Sequence, residues 1–593
     1  MPAELLFLKC EIQLMKKLFI ITITVLATLT LWAQSTTPLR LEIPAPNGSD
    51  PFNYVTAGEN GICIFYPTVI ETGKDTINWS IMMVDDQLKE LWHKQVPLQE
   101  DATFLKSLTT KDAIYLLFHD TKQKKNANVI VYMIVPKFRI VTEHKGGIPE
   151  KAEVVDFEVS NSIAYIGYNN RKSEPGITGF SLMTGEKRNF NITSEKDALL
   201  LDVAIDTARQ EVFATYKIQY SSARNHLLVN KYNSAGTLVK TYDFTDQVER
   251  RNYNTAQYIP NGDSQGMVAG TYGFNVTNTR KQYNYYDSYY NNYYYNGYNP
   301  YYSRQSEYDA NEDNTPVSDG YYTGLVKNGT AGTIKYYNFS GFSKSYKYIT
   351  NSVALRTKAK ATKKDPDADY AAKSDTSIAN AVGFRLKDKI AKSNPNPTGN
   401  SQSDNSNDKD RTLNLRLIAH DIVMNNGQLI ISSEAYSPEY HTNTQMTYDY
   451  YGRAFPTSYQ IFDGFRYSHA FIAGFDSSGN MLWNNGMEMR DIITKYLNRK
   501  LNCLFENDEI VLYYNANNKI AFKTIQGSTI IDHTSYIALT QKRGADQHLD
   551  EYLGTIEHWY GNYFIATGYQ TIRNNNLENN KRHVFYLSKL AFE

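Results

Sequence analysis

Two carboxyl groups facing one cleft are enough to cleave a glycosidic bond by hydrolysis or elimination, one giving a proton while the other acts as base or nucleophile. Asp202, Asp421 and Glu557 suit that chemistry, because each lies on a different segment read as a first β strand. They would meet only if those strands converge on one funnel, and such a site leaves no local signature. Asp202 alternates with Leu201 and Val203, as expected of a strand carboxylate that faces water or a bonded inner ring, so no catalytic residue is assigned. The 11 histidines show no His-x-His or His-x-x-x-His pair, so no metal site is expected. A Gly-rich phosphate loop and a G-x-S-x-G elbow are both absent, and no cofactor is expected.

Aromatic residues are the second candidate. Tyrosine occurs 48 times, and 11 of these fall within residues 283–302. Tyr289, Tyr290, Tyr293, Tyr294, Tyr295 and Tyr298 form the densest run, while Tyr448, Tyr450, Tyr451, Phe455 and Tyr459 mark a second group. Amphipathic rings interleaved with Asn, Ser and Gly make recognition surfaces for protein or sugar. Nucleic-acid stacking is not expected, since few basic residues, Lys281 and Arg304 among them, flank the first run.

The elements that must carry these residues follow from a repeat. A turn rich in Asn, Asp, Gly or Ser leads into a short apolar strand near Gly61, Asp112, Asn161, Gln210, Gln265, Gly427, Asp508 and Asn562. The first five copies are 51, 49, 49 and 55 residues apart and the last two 54; the longer steps of 162 and 81 contain inserts. A period near 50 with strand units reads as a radial β array. One unit parses as four strands, Leu199 to Ile205, Val212 to Ile218, His226 to Tyr232 and Leu238 to Phe244. The expected fold is therefore an all-β propeller of about eight four-stranded antiparallel blades, occupying residues 52–593. Its inserts are a Tyr-rich loop (275–318), a segment read as mostly disordered with a short basic helix (343–411) and an aromatic loop (437–467). All three follow a second or fourth strand in or after units five and six, so they should cluster on one face. The helix carries Ile378, Val382, Leu386 and Ile390 with basic neighbours, and 378–392 is a candidate for peripheral membrane contact.

Recurrent turns hold Asp85, Asn233 with Gly236, and Asp476 with Gly479, read as structural turn formers rather than acids. Asp476 to Trp483 spells D-x-x-G-x-x-x-W, and Trp92 ends a related segment. That motif resembles the docking motif of quinoprotein-like eight-bladed propellers, a family of quinone-dependent dehydrogenases and noncatalytic envelope scaffolds. The dehydrogenases' vicinal cysteine pair is missing, so the resemblance implies the scaffold type without quinone. The Tyr-, Asn- and Lys-rich style also resembles exported proteins of Bacteroidota.

From Met15 the chain reads as a secretory signal, two lysines before an apolar stretch from Leu18 to Leu31, with cleavage expected after Ala33. Residues 34–51 are then an N-terminal extension. Export to the periplasm, the outer membrane or the cell surface is expected. Sixty-two basic residues balance 62 acidic ones, leaving no field to recruit nucleic acid. Cys63 and Cys503 each fall in a strand and read as buried small hydrophobes. The function expected from these features is a noncatalytic exported propeller that binds a protein partner of the cell envelope through the insert-bearing face. The alternative is a carbohydrate-binding or carbohydrate-active propeller.

Overall fold

Alternation of large apolar residues along each second strand dictates the architecture. In Glu211–Ser221, Val212, Ala214, Tyr216 and Ile218 face one neighbouring sheet, while Phe213 faces the other. A strand buried on both faces needs a sheet on either side, and a ring supplies that without leaving an open end. The computed structural model shows such a ring. It describes residues 39–591 apart from 46–51, 121–127, 171–173, 191–197, 246–250, 275–315, 343–412, 540–543 and a few single or paired positions.

Among the described residues eight antiparallel sheets follow one another along the chain, and the eight repeat copies are their second strands. Eight hydrophobic clusters join them, each built from two adjacent sheets, such as Phe65 and Trp79 of blade 1 with Phe104 and Phe118 of blade 2. The last cluster returns from Ile565 and Leu587 of blade 8 to Ile62 and Ile64 of blade 1, which closes the ring. Trp92 packs into the seam between blades 1 and 2. Trp483 packs at the seam between blades 6 and 7, where its Nε1–H donates to Gln428 Oε1 at 2.8 Å.

Two boundaries differ from the sequence reading. Residues 34–51 are not wholly an extension, because Arg40–Pro44 pairs with Lys581–Ala591 as the fourth strand of blade 8. Five residues alternating Leu41 and Ile43 with Arg40 and Glu42 are too short to stand out from sequence. Arg40 fixes the strand by donating to Gln570 Oε1 (2.7 Å) and Ser588 Oγ (3.1 Å), with its guanidinium 4.3 Å from the Tyr586 ring centre.

Residues 437–467, read as a loop, instead extend two strands of blade 6, Gln428–Tyr448 and Ala454–Phe475, into one long hairpin ribbon. The pairing continues from Leu429↔Phe475 to Tyr448↔Ala454, with bulges near Tyr436 and Tyr440. Its Thr- and aromatic-rich pattern is strand-forming, and strand propensity prevailed over the expectation of a loop. The Tyr-rich loop, the basic helix of 378–392 and the signal segment lie outside the described residues.

The tight turns show why their residue types recur. Asp85 Oδ1 accepts the N–H groups of Gln87 and Lys89, Asn233 Oδ1 those of Ala235 and Thr237, and Asp476 Oδ1 those of Ser478 and Asn480. The fourth turn residue takes positive φ, at Gly236 (84°), Gly479 (72°) and, without glycine, Leu88 (54°).

Candidate active site

The first strands of the blades line the centre of the ring, whereas fourth strands such as Thr529–Ala538 are largely exposed. Most first strands are interrupted partway. The ladder slips between Phe104 and Lys106, between Val154 and Asp156, and between Leu200 and Asp202 in blades 2, 3 and 4. In blades 5 and 6 the first strand breaks in two, Asn252–Tyr253 with Gln257–Pro260 and Arg416–Ala419 with Val423–Asn425. A bulge re-aims the next side chain and leaves its backbone N–H outside the ladder.

One rule then links successive blades. A backbone N–H in or beside the inner strand of one blade donates to a side chain of the preceding blade. Val203 N donates to Asp156 Oδ2 (3.1 Å), Tyr258 N to Asp202 Oδ2 (3.1 Å) and Ile422 N to Gln257 Oε1 (2.6 Å). Lys500 N donates to Glu434 (2.9 Å to Oε1) and His558 N to Tyr513 Oη (2.9 Å). The residues preceding those N–H groups are Asp202, Gln257, Asp421, Arg499 and Glu557. With Lys106 and Asp156 they form a polar collar contributed by seven blades.

The collar is cross-linked by charge. Lys106 Nζ donates to Asp156, Gln257 Nε2 to Asp421 Oδ1 at 3.2 Å, and Arg499 Nη1 reaches Asp421 Oδ2 at 3.4 Å. Asp421 is enclosed by the ring yet open to water within it, its side chain 81% accessible. That enclosure works against its charge, but Arg499 and Lys106 outweigh it and hold the carboxyl below the usual range. Asp202 is the opposite case: burial, reinforced by Asp156, raises it well above that range.

Two glutamates fall between these extremes. Glu158, on the same strand as Asp156, is pushed up to about 7 by burial and by the charges of Asp156 and Asp421, against the pull of Lys106. Burial pushes Glu557 up to about 7 as well, opposed by a Thr56 hydrogen bond and Arg499. Glu557 Oε1 is buried without a hydrogen-bond partner among the described residues. Carboxyls poised near neutrality between ionised neighbours can give a proton at one step and take it at another.

Structure thus brings Asp202, Asp421 and Glu557 onto one collar, with different roles. Asp202 is spent on Tyr258 N, while Asp421 and Glu557 remain with Glu158, Lys106 and Arg499 as the groups able to meet a ligand. Sequence reasoning did not single out Lys106, Asp156, Glu158, Gln257 or Arg499. A nearby Ser432–His420–Glu434 line resembles a nucleophile relay, with Ser432 Oγ 3.1 Å from His420 Nδ1 and His420 Nε2 2.6 Å from Glu434 Oε1. All three are buried, and Glu434 also accepts from Lys500 N and Leu501 N, so the line ties blade 6 to blade 7. Among the described residues no group of three or more His, Cys, Asp or Glu is placed to hold a metal ion.

The aromatic candidates are placed only in part. Tyr289, Tyr290, Tyr293, Tyr294, Tyr295, Tyr298 and Tyr450 lie outside the described residues, and Tyr448, Phe455 and Tyr459 are placed by backbone pairing alone. Tyr451, at the ribbon tip, is 76% exposed. A separate cavity of about 230 Å³ between blades 5 and 6, lined by Met267, Leu325, Leu429 and the Asp476–Ser478 turn, holds no collar residue.

No protein-family model matches the sequence, and no curated protein matches it. Among solved structures, the polysaccharide lyase Uly1 is 9% identical, with 94% of this chain and 100% of that one covered at a TM-score of 0.34. An ulvan lyase of polysaccharide lyase family PL25, bound to -[GlcA(1-4)Rha3S]-, is 8% identical over 81% of this chain and 93% of its own, with a TM-score of 0.34. The β-propeller domain of the Trilobed protease from Pyrococcus furiosus is 5% identical over 82% and 97%, with a TM-score of 0.31. At these values the likeness concerns architecture, and no activity is drawn from it.

Proposed function

We propose that the protein binds a polysaccharide in its central channel and acts on it by acid–base chemistry, as a hydrolase or a lyase. The observation that carries this reading is the collar itself, which links Lys106, Gln257, Asp421 and Arg499 on the inner strands and in the segments beside them, with the inner-strand Glu158 and Glu557 both pushed up to about 7. A carboxyl that gives a proton and another that takes one would serve glycosidic cleavage. Arg499 and Lys106 would stabilise charge developing on the substrate.

The test is turnover of a panel of soluble neutral and acidic polysaccharides, read as new reducing ends or unsaturated products. Glu158→Gln and Glu557→Gln should each slow turnover by about 10²-fold or more while binding persists. Full turnover in both variants would refute the assignment. Tyr451, exposed at the ribbon tip, favours a second reading, a noncatalytic propeller that binds an envelope protein through the insert-bearing face. Glycan binding by the wild-type channel with no turnover, together with capture of a purified envelope protein that Tyr451→Ala abolishes, would decide for it.

A further inference from the structure

We infer that the ribbon of blade 6 is a grip for an uncharged polysaccharide chain, extending the path of a polymer whose other part occupies the channel. This rests on the proposed glycan reading of the channel. Four observations carry it.

The first is geometry. The second strands of other blades end soon after the ring, as at Ala516 or Gly273, but in blade 6 pairing continues to Tyr448↔Ala454. The run from Pro438 to Tyr448 spans roughly 30 Å at the rise of a β strand.

The second is charge. Residues 442–448 and 454–460 contain no Asp, Glu, Lys or Arg. The charges at the ribbon's base are matched within it, Glu439 with Arg466 and His441 with Asp463. An anionic polymer or lipid surface would find no basic track along these arms.

The third is chemistry. Thr442, Asn443, Thr444, Gln445 and Ser458 are exposed, and Thr444 Oγ1 lies 2.9 Å from Ser458 Oγ across the pair. Hydroxyl and amide groups match sugar hydroxyls. Protein interfaces need clusters of large apolar anchors, and among the described ribbon side chains the exposed large ones are Met446 and, at the tip, Tyr451.

The fourth is continuity. The strand that becomes the ribbon carries Glu434, which holds Lys500 N beside Arg499, and the same blade supplies Asp421 to the collar. A polymer leaving the channel past blade 6 meets the ribbon next.

The test compares a soluble neutral polymer with its own pentasaccharide, using β-glucan, mannan, xylan and galactan in turn. One variant replaces residues 441–461 by Asn-Gly, joining the cross-strand partners Tyr440 and Phe462 through a two-residue turn. A second, full-length variant carries Thr444→Glu and Gln445→Glu. Both should weaken polymer binding at least tenfold and leave pentasaccharide binding unchanged. Equal binding of polymer by wild type and both variants would overturn the inference. So would parallel loss of polymer and pentasaccharide, which would make the ribbon a support of the channel. Ribbon variants that lose a protein partner but keep the polymer would reassign the ribbon to protein recognition. Failure of every glycan to bind the wild type would instead overturn the channel reading and remove the basis of this one.

Discussion

Replacing Glu557 by Gln should change how folding stability depends on pH, and the change can be worked from the site. Its carboxyl sits near 7 in the folded chain, against an ordinary 4.5, because burial disfavours the charge more than Thr56 and Arg499 favour it. Between those values the folded chain keeps a proton that the unfolded chain has released. The resulting stabilisation is complete below about 4.5 and is lost as pH rises through about 7. The interval, at about 1.4 kcal/mol per pH unit, is worth up to about 3 kcal/mol, and water in the channel lowers that ceiling. Glutamine removes the titration and keeps the shape. Urea unfolding of both proteins from pH 4 to 8.5 reads the difference directly, since all other groups cancel. The variant should gain on the wild type by roughly 2–3 kcal/mol between pH 5 and 8, with equal m-values. A difference constant to within about 0.5 kcal/mol would show that Glu557 titrates as an ordinary surface carboxyl. The neutral acid–base pair would then be gone.

The remaining predictions concern the ring that positions the channel. Glu434→Ala strands His420 and the N–H groups of Lys500 and Leu501, and should cost about 3–5 kcal/mol in chemical unfolding. Arg40→Ala should cost about 2–4 kcal/mol and raise amide exchange in Lys581–Ala591, the strand that Arg40–Pro44 covers. Gly474→Ala puts a methyl group 2.3 Å from the Trp483 ring, so it should destabilise the seam by about 1–3 kcal/mol, and a neutral result would show that Trp483 does not pack there. Cys63, fully buried and with its thiol pushed up by burial, should resist a thiol reagent in native protein and react only on unfolding.

The fold was legible because a propeller repeats its cause. Each second strand, from Ile62–Gly73 to Tyr563–Arg573, must be apolar on both faces, and that run sits at a nearly fixed distance from its neighbours. Closure was not legible, since Arg40–Pro44 is short and its partner lies at the other end of the chain. The ribbon was misread for a local reason. Gly464, Pro438 and Pro456 are breaker types, yet the ladder pairs all three, Glu439↔Gly464, Pro438↔Phe465 and Met446↔Pro456, with register shifts near Tyr436 and Tyr440.

The site was half legible, and its missing half has a physical explanation. Asp202, Asp421 and Glu557 could be suspected because a carboxylate in an apolar strand is costly unless it has work to do. Lys106, Glu158 and Arg499 lie in segments where a charge is unremarkable, such as the alternating Glu153 to Ser160 stretch. What marks them is position. Lys106, Asp156, Asp202, Gln257 and Asp421 all lie three or four residues before the last residue of their inner strands, Thr109, Ser160, Asp206, Pro260 and Asn425. In three blades two apolar residues precede the collar residue, as Phe104-Leu105-Lys106, Val154-Val155-Asp156 and Leu200-Leu201-Asp202. Consecutive apolar residues break strict alternation, and in these strands the break is the bulge that turns the next side chain toward the channel. The signal is therefore a phase error in the strand pattern at a fixed distance from the turn. It becomes readable only once the strand ends are known, because a one-residue error in register sends the same side chain to the other face.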